Sequence, residues 1–554
     1  MKFVLKEYLE LLKEDGELDS LITDLLFSMN IIPISKPQRG RQFGVDISAI
    51  GTDIDGVKKV FLFAVKQGNI TRNIWDSTPN SIRQTLNEIL DVYIPKVLTK
   101  SQKALPQKII VATNGVLEQT VQFNWNSYRD ENSQSNKIEF DFWGIDQIAS
   151  DIDKYLLPEQ IFPNDFKILL RKTIAFIDLE DYDCSHYYLL LEKLFESKTD
   201  KKKEVLKILR IVRVCFSVIH KWSKDAQNLK QSIIASERTL LLTWNWIWEN
   251  DLLKNNYVLD EFYNIHSLKI TIGREYFLKI REHLYVKHSL FKYSRNQLEY
   301  SLTIWEQMGI LSSIALTEIA EGQMHLITDN KDYTNICFSN ANEYVIGLKF
   351  LIANNPPTKY PEYDEHLIEI SLALILLYKA KEFEFAKIWI GNLITGFNDC
   401  YKLKRFIPLF RTDYEELANI HLGNSISEPH SSMLLPLLAE WAVILNEPGL
   451  YDLVKKMISE NYPEIDLQIW FPESTSEDFL YTTNMSRKSG HAKCSIELYD
   501  DVEKYKKEML EEKTLFCEEK EFSIFSQYFY YLGYLSSRHY RSNLLPLFWR
   551  EFLN

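Results

Sequence analysis

The sequence predicts an α/β N-terminal domain, with a mixed sheet flanked by helices, followed by a large and mostly α-helical domain. Up to about residue 160, short apolar runs bounded by Gly, Asn, Asp and Pro alternate with helical segments. Beyond this region the apolar residues recur mainly at helical spacing, and aromatic residues are dense. A chain of 554 residues is also too long for a single hydrophobic core.

The elements of the α/β domain are predicted from apolar periodicity and from turn residues. The predicted helices cover residues 17–30, 81–93 and 144–155. The predicted strands cover residues 31–35, 43–50, 60–66, 108–113 and 138–143. The predicted order is helix, three strands, helix, two strands, helix, which is typical of a compact α/β unit with a mixed sheet.

Three domains are predicted, covering residues 1–160, 161–350 and 351–554. The second and third are helical, without a repeat of fixed length that would indicate a solenoid. The segment Ser294–Ile310 has the apolar spacing of an ordinary amphipathic helix. A winged-helix-like segment near 275–335, with this helix reading a DNA groove, is the alternative.

Composition excludes several classes of protein. The net charge is −13, whereas proteins that coat nucleic acid are usually basic, so a nucleic-acid contact needs a local basic patch. No uncharged apolar run reaches about 18 residues, and the first residues do not resemble a secretory signal, so no membrane partner is expected. The scattered cysteines favour a reducing, cytoplasmic location. Residues 1–160 contain no histidine, which excludes His-based nuclease chemistry there.

One acid and one amine form the candidate site. Asp46 lies in one predicted strand and Lys66 ends the next, with a turn-rich segment, 51–56, between them. In an antiparallel pair both side chains can reach one end of the sheet. A phosphodiesterase that uses Mg²⁺ needs hard oxygen ligands and a cation near the attacking water. Asp46 is predicted to bind Mg²⁺ or Mn²⁺, and Lys66 to position the water and stabilise charge on the phosphorus.

This arrangement resembles the PD-(D/E)xK (restriction-endonuclease-like) nuclease superfamily, and within it the Mrr-like enzymes. The resemblance covers residues 17–155 and rests on Gly-Val-Asp at 44–46, Ala-Val-Lys at 64–66, and the later segments KIIVATNG and FDFWGIDQIA. It implies a restriction-endonuclease-like fold and a metal-dependent endonuclease, a hydrolase that cuts DNA or, as the alternative, RNA.

The position two residues before the lysine departs from this pattern. The family has Glu, Asp or Gln there, whereas this chain has Ala64, which cannot bind metal. Three explanations are open. The one that we favour is that the missing carboxylate has moved to Glu88 on the following helix. Alternatively, Glu17 is a further metal ligand, with Gln67 nearby, or the domain is inactive and only binds nucleic acid. The predicted catalytic residues are Asp46, Lys66, Glu88 and Gln67, and the predicted metal ligands are Asp46, Glu88 and Glu17.

Basic residues around this segment are predicted to contact phosphates, with a solvated rim as the alternative. They are Arg39, Arg41, Lys58, Lys59, Arg72 and Arg83. Nuclease domains followed by long helical regions are similar to bacterial antiviral defence proteins. The expected function is therefore a Mg²⁺-dependent nuclease effector, whose helical region senses, oligomerises or binds a protein partner. The alternatives are a catalytically degenerate scaffold that binds nucleic acid or protein, and a DNA-binding regulator.

Overall fold

The chain folds into two units, seen in a computed structural model. The described residues are 2–10, 12–34, 43–77, 81–156, 163–179, 182–403, 414–424, 430–472, 477–482, 490–516, 522–526 and 528–553. The units cover residues 1–231 and 232–554. The limit predicted at residue 160 lies inside the first unit, because helices after it pack on those before it, and the limit at 350 lies inside the second.

A five-stranded sheet organises the first unit. Its strands lie side by side in chain order: β1 (Ile32–Pro33), β2 (Ile47–Thr52), β3 (Lys58–Lys66), β4 (Gln107–Thr113) and β5 (Ile138–Trp143). The first three pair antiparallel, whereas β3, β4 and β5 pair parallel. The mixed sheet predicted from the sequence is therefore present, and helices flank it.

The helices of the first unit are α1 (Lys2–Glu10), α2 (Asp19–Ser28), α3 (Arg72–Asp76), α4 (Ile82–Glu88), α5 (Lys100–Lys103), α6 (Gln119–Asn132), α7 (Ile145–Asp151), α8 (Asn164–Phe176), α9 (Ser185–Phe195) and α10 (Lys202–Asp225). A π-helical turn, Glu14–Leu18, leads into α2, and similar turns, Ile89–Val97 and Ile152–Leu156, extend α4 and α7. The turn Ile152–Leu156 follows α7 directly, so the sequence pattern predicts the two as one helix.

Helix α6 corrects the predicted order of elements. The sequence prediction placed β4 and β5 in succession, but the two strands are parallel, and parallel neighbours need a crossover connection. Helix α6 supplies that crossover. It was missed because its sequence, QTVQFNWNSYRDEN, is rich in Asn and aromatic residues, which are weak helix formers.

The core of the first unit lies on both faces of the sheet. Leu62 and Ala64 of β3 face a cluster that includes Trp75 of α3 and Trp125 of α6, whose rings meet edge to face. Phe63 points to the opposite face, because side chains alternate along a strand, and there it packs against Trp143. Helix α1 packs on α7, and α2 and α7 contact β2 and β5 respectively.

The second unit is mostly helical. Its helices are α11 (Leu229–Glu249, which begins in the first unit), α12 (Asn256–Leu284), α13 (Gln297–Ile327), α14 (Lys331–Asn354), α15 (Leu367–Lys379), α16 (Phe383–Leu403), α17 (Tyr414–His421), α18 (Leu434–Ile444), α19 (Pro448–Asn461), α20 (Glu477–Leu480), α21 (Val502–Phe516), α22 (Ser523–Ser526) and α23 (Tyr531–Tyr540). Its short strands are β6 (Ser431–Ser432), β7 (Asp466–Leu467), β8 (Ile469–Phe471) and β9 (His491–Lys493). None of the helices in the described part of the chain is both long and apolar enough to span a bilayer.

The winged-helix-like alternative is wrong. Residues 275–335 are all described, and they contain the end of α12, a 3₁₀ turn, all of α13 and the start of α14, without a strand that could form a wing. Helix α13 has 31 residues and is buried over most of its length. It packs against α12, α14 and α15, so it has no open face for a DNA groove.

Three buried ion pairs join the last part of the second unit to its helices. Arg538 bonds to Glu237 of α11, Arg541 to Glu369 of α15, and Arg550 to Glu440 of α18. The three glutamates are almost fully buried. Since a buried carboxylate is stable only when it is paired, Arg538 and Arg550 belong to the core, whereas Arg541, whose side chain is 30% exposed, pairs with its glutamate at the edge of the core.

Candidate functional site

Asp46 lies directly before β2, beside the end of β3. Its backbone N donates to Phe63 O at 2.8 Å, and its Oδ2 accepts a hydrogen bond from Val65 N at 2.7 Å. The antiparallel register, in which Ile47 pairs with Phe63, fixes this position. The carboxylate is therefore held at the end of the sheet where Lys66 emerges.

Lys66 is the last residue of β3 and is partly buried. Its Nζ donates to Glu14 Oε1 at 3.0 Å, and the side chains of Lys66 and Glu14 are 18% and 35% exposed. The backbone N of Gln67 donates to Glu14 Oε2 at 3.2 Å. One carboxylate thus bridges the ammonium group and the next backbone amide. The sequence analysis did not identify Glu14.

Asn114 fixes the segment that carries Glu14 against the end of the sheet. The side chain is 2% exposed and makes three hydrogen bonds to the backbone. Its Nδ2 donates to Leu9 O at 2.8 Å and to Leu12 O at 2.9 Å, and its Oδ1 accepts from Gly68 N at 2.7 Å. The end of α1 and the loop after Lys66 are therefore tied to one buried amide.

The environment of Asp46 favours its protonated form. Burial raises the pKa of Asp46 to about 6, although the hydrogen bond from Val65 N and the charge of Lys66 lower it. The carboxylates of Glu14 and of Asp19, which is 7% exposed, contribute to this rise in the pKa. Two other carboxylates therefore act on Asp46 together with one lysine, and a cation placed near them is stabilised.

Ala64 lies in the apolar core. Its side chain is fully buried and belongs to the same cluster as Val60, Leu62 and Val111. Strand alternation puts Ala64 and Lys66 on one face of β3, but the strand ends at Lys66, where the side chain leaves the core. A carboxylate at position 64 would need a polar neighbour within this cluster.

Glu17 is already paired. Its Oε2 accepts from Lys13 N at 2.9 Å and from Lys221 Nζ of α10 at 2.7 Å. Burial alone would raise the pKa of Glu17, but the bonds from Lys221 and Lys13 outweigh burial and lower it. The acid that bonds to Lys66 is Glu14, three residues earlier, and Glu17 instead holds the turn that carries Glu14.

Glu88 lies on the exposed end of α4, which packs against the loop before Asp46. Gly44 has a φ of 81°, and a Cβ there would lie 2.5 Å from Thr85 O, so only glycine allows this contact. Within the described part of the chain, Glu88 makes no hydrogen bond or ion pair. Its role as a metal ligand stays a prediction, as does that of Gln67, whose side chain is exposed.

The predicted phosphate-binding residues do not form one surface. Arg72 and Lys58 are exposed, and Arg83 pairs with Asp76 at 3.2 Å. Lys58 begins β3 and Lys66 ends it, about 26 Å apart at the rise of an extended strand. Lys59 was assigned wrongly, because it is 2% exposed and lies among acids. Arg39 and Arg41 lie outside the described residues.

An acidic cluster surrounds Lys59 at the far end of the sheet. Among the described residues, Asp53, Asp55 and Glu139 are the only three acids whose ligand atoms all lie within 4.8 Å of one another. Lys59 Nζ bonds to all three, at 2.9, 2.6 and 2.7 Å, and Lys108 Nζ also bonds to Asp53 at 3.1 Å. The cluster is an ion-pair network whose centre holds an ammonium group.

The groups at the end of β3 fit a hydrated divalent cation better than the acidic cluster around Lys59 does. Asp46 Oδ1 has no partner in the described part of the chain, and Glu14 supplies two further oxygens that now bond to Lys66 and Gln67. Mg²⁺ prefers oxygen ligands and keeps several waters, so one or two carboxylates suffice. Asp46 and Glu14 meet that requirement.

No protein-family model matches this sequence, and comparisons with curated proteins and with solved structures find no match either.

Proposed function

We propose that the sheet and its flanking helices form a restriction-endonuclease-like domain of the Mrr-like type, which hydrolyses phosphodiester bonds with Mg²⁺ or Mn²⁺. The observation that carries the proposal is that Asp46 accepts a hydrogen bond from Val65 N at the end of β3, and that the next residue, Lys66, bonds to Glu14. The order of elements supports it: a helical segment, three antiparallel strands, helices, and then a parallel strand. The resemblance implies these elements in this order, and α6, which the sequence prediction lacked, follows them.

The residues of the site have separate roles in this proposal. Asp46 and Glu14 would hold the cation, which when bound supplies Lewis acidity and lowers the pKa of a bound water. Lys66, released from Glu14, would donate to a phosphate oxygen and stabilise the negative charge that develops there. Gln67 is exposed beside Lys66 and would orient the substrate by hydrogen bonds.

The wider role that we propose is that of a cytoplasmic effector in bacterial antiviral defence. Its substrate would be DNA or, as the alternative, RNA. The helical region would sense a signal, oligomerise or bind a protein partner that restrains cutting. This part rests on the architecture, a small sheet domain followed by a long helical region.

A cleavage assay on the full chain tests the proposal. Plasmid DNA, single-stranded DNA and RNA are incubated with the protein and Mg²⁺, Mn²⁺ or EDTA. Cutting is expected only with a divalent cation, and Asp46→Asn and Lys66→Met should each reduce it by about 100-fold or more. Asp91→Asn, at an exposed position, is the matched control and should cut as the wild type does.

A non-catalytic scaffold is the second candidate, and Ala64 favours it. A domain without the expected acid on β3 can keep the fold and still bind nucleic acid. The scaffold predicts that labelled DNA or RNA binds equally well with Mg²⁺ and with EDTA, and that no substrate is cut under any metal. Cutting that Asp46→Asn abolishes would exclude it.

A further inference from the structure

Helix α10 contacts the helical segment that carries Glu14. Three basic residues on one face of α10, at spacings of three and eight, reach that segment. The contacts are Lys221 with Glu17 at 2.7 Å, Arg213 with Asp24, and Arg210 with the Phe27 ring, 4.7 Å from guanidinium to centroid. This segment leads from the π-helical turn through α2, so α10 holds both.

Glu17 connects α10 to the turn itself. The same oxygen, Oε2, accepts from Lys221 Nζ and from the backbone N of Lys13, the residue directly before the turn. Leu18 N donates to Lys13 O at 3.0 Å and closes the turn. The position of Glu14, the first residue of the turn, therefore depends on a carboxylate that Lys221 holds in place.

The side chains that make this connection are shielded from water. Lys221 is 11% exposed and Glu17 is 32% exposed, so their charges are screened less than those of a surface pair. Glu14 in turn bonds to Lys66 and to Gln67 N. Hydrogen bonds, joined by the peptide bond between Lys13 and Glu14, thus connect α10 to the end of β3.

We propose that Lys221 is a positioning residue for the site: it holds Glu17, and Glu17 fixes the turn that presents Glu14 to Lys66 and to a bound divalent cation. The catalytic meaning of this inference rests on the proposed function, whereas the coupling of Lys221 to the turn does not. Partners that orient metal ligands typically change metal affinity or activity 10- to 100-fold when they are removed.

The test compares Lys221→Met with Lys207→Met in the full chain. Lys207 lies on the same helix and has no acid partner in the described part of the chain. Hydrogen exchange is measured in peptides that cover residues 13–18 and 66–68, Mn²⁺ affinity is measured by electron paramagnetic resonance, and cutting is measured as above. Lys221→Met is expected to exchange faster in both peptides, bind Mn²⁺ more weakly and cut about 10- to 100-fold more slowly.

Two further variants separate positioning from a general loss of stability. Lys221→Arg should behave as the wild type, because its guanidinium group can still donate to Glu17. Adding Lys221→Met to Glu17→Ala should weaken Mn²⁺ affinity no further than Glu17→Ala alone, because both changes break the same connection to Lys13 N. Unchanged exchange in residues 13–18 and 66–68 of Lys221→Met overturns the inference, whether or not the wild type cuts. If Lys221→Met exchanges faster in both peptides but the wild type does not cut, the result counts against the proposed function and not against this inference.

Discussion

Replacing Asp46 with Asn is expected to stabilise the folded protein at neutral pH while it abolishes cutting. Burial raises the pKa of Asp46 to about 6 from 3.8, and Glu14 and Asp19 add to the effect. The folded state therefore keeps a proton that the unfolded state releases. Stability falls as the pH rises through the interval from 3.8 to about 6, and the full loss is present above it.

The size of the effect follows from the difference in pKa. About two pKa units correspond to about 3 kcal/mol, and contact with solvent at the partly exposed carboxyl reduces this to about 1 to 2 kcal/mol. Asn resembles the protonated acid and can still accept the hydrogen bond from Val65 N. In a unit of this size, Asp46→Asn should therefore raise the melting temperature by about 2 to 8 °C at about pH 8.

Thermal unfolding of the wild type and the variant at about pH 3 and about pH 8 measures this effect. The two proteins should melt together near pH 3, which lies below both pKa values of Asp46, and separate at the higher pH. Asp91→Asn, at an exposed position, should show no such pH-dependent difference. A constant difference at both pH values, or a less stable Asp46→Asn at pH 8, would refute the argument from burial.

Four further substitutions have expected outcomes. Glu14→Gln should reduce cutting by about 100-fold, because it removes a carboxylate from the site, whereas Glu88→Gln, at an exposed position, should change cutting little. If Glu88→Gln reduces cutting more than Glu14→Gln does, Glu88 is the metal ligand. Lys59→Met should lower the melting temperature by about 4 to 12 °C, because Asp53, Asp55 and Glu139 lose the ammonium group that they share. Millimolar Ca²⁺ should restore part of the lost melting temperature by binding these three acids. If Ca²⁺ has no effect, the three carboxylates do not converge on one site. Asn114→Ala should cost about 2 to 4 kcal/mol in urea unfolding, because three backbone groups lose their partner, and a loss below about 1 kcal/mol would contradict that reading.

The strands were predictable because their apolar runs are continuous and end at turn residues. The prediction for β5 covered 138–143, as observed, and that for β3 began two residues late at 60 and ended correctly at Lys66. From these limits the meeting of Asp46 and Lys66 at one end of the sheet followed without coordinates. The local sequence pattern is sufficient to place a side chain when strand pairing and side-chain alternation alone decide its position.

The acids around the site were not predictable in the same way. Glu14 meets Lys66 across 52 residues, and its face is set by a π-helical turn, whereas ordinary helical spacing drew attention to Glu17. Lys59 was read as a phosphate-binding residue although Asp53 and Asp55 lie shortly before it in the sequence; its third partner, Glu139, lies 80 residues away. Pairs such as Glu14 with Lys66 and Lys59 with Glu139 depend on which segments meet in space, and a single sequence does not record that.

The buried arginines near the end of the second unit have a consequence for biosynthesis. Arg538 finds its glutamate 301 residues earlier in the chain, and Arg550 finds Glu440 110 residues earlier. Helices α11 and α18 therefore leave the ribosome before the arginines that pair with their carboxylates have been translated. Contacts of such long range form slowly. We expect the nascent second unit to be the part of this protein that depends on chaperones, whereas the sheet unit can finish folding while translation continues.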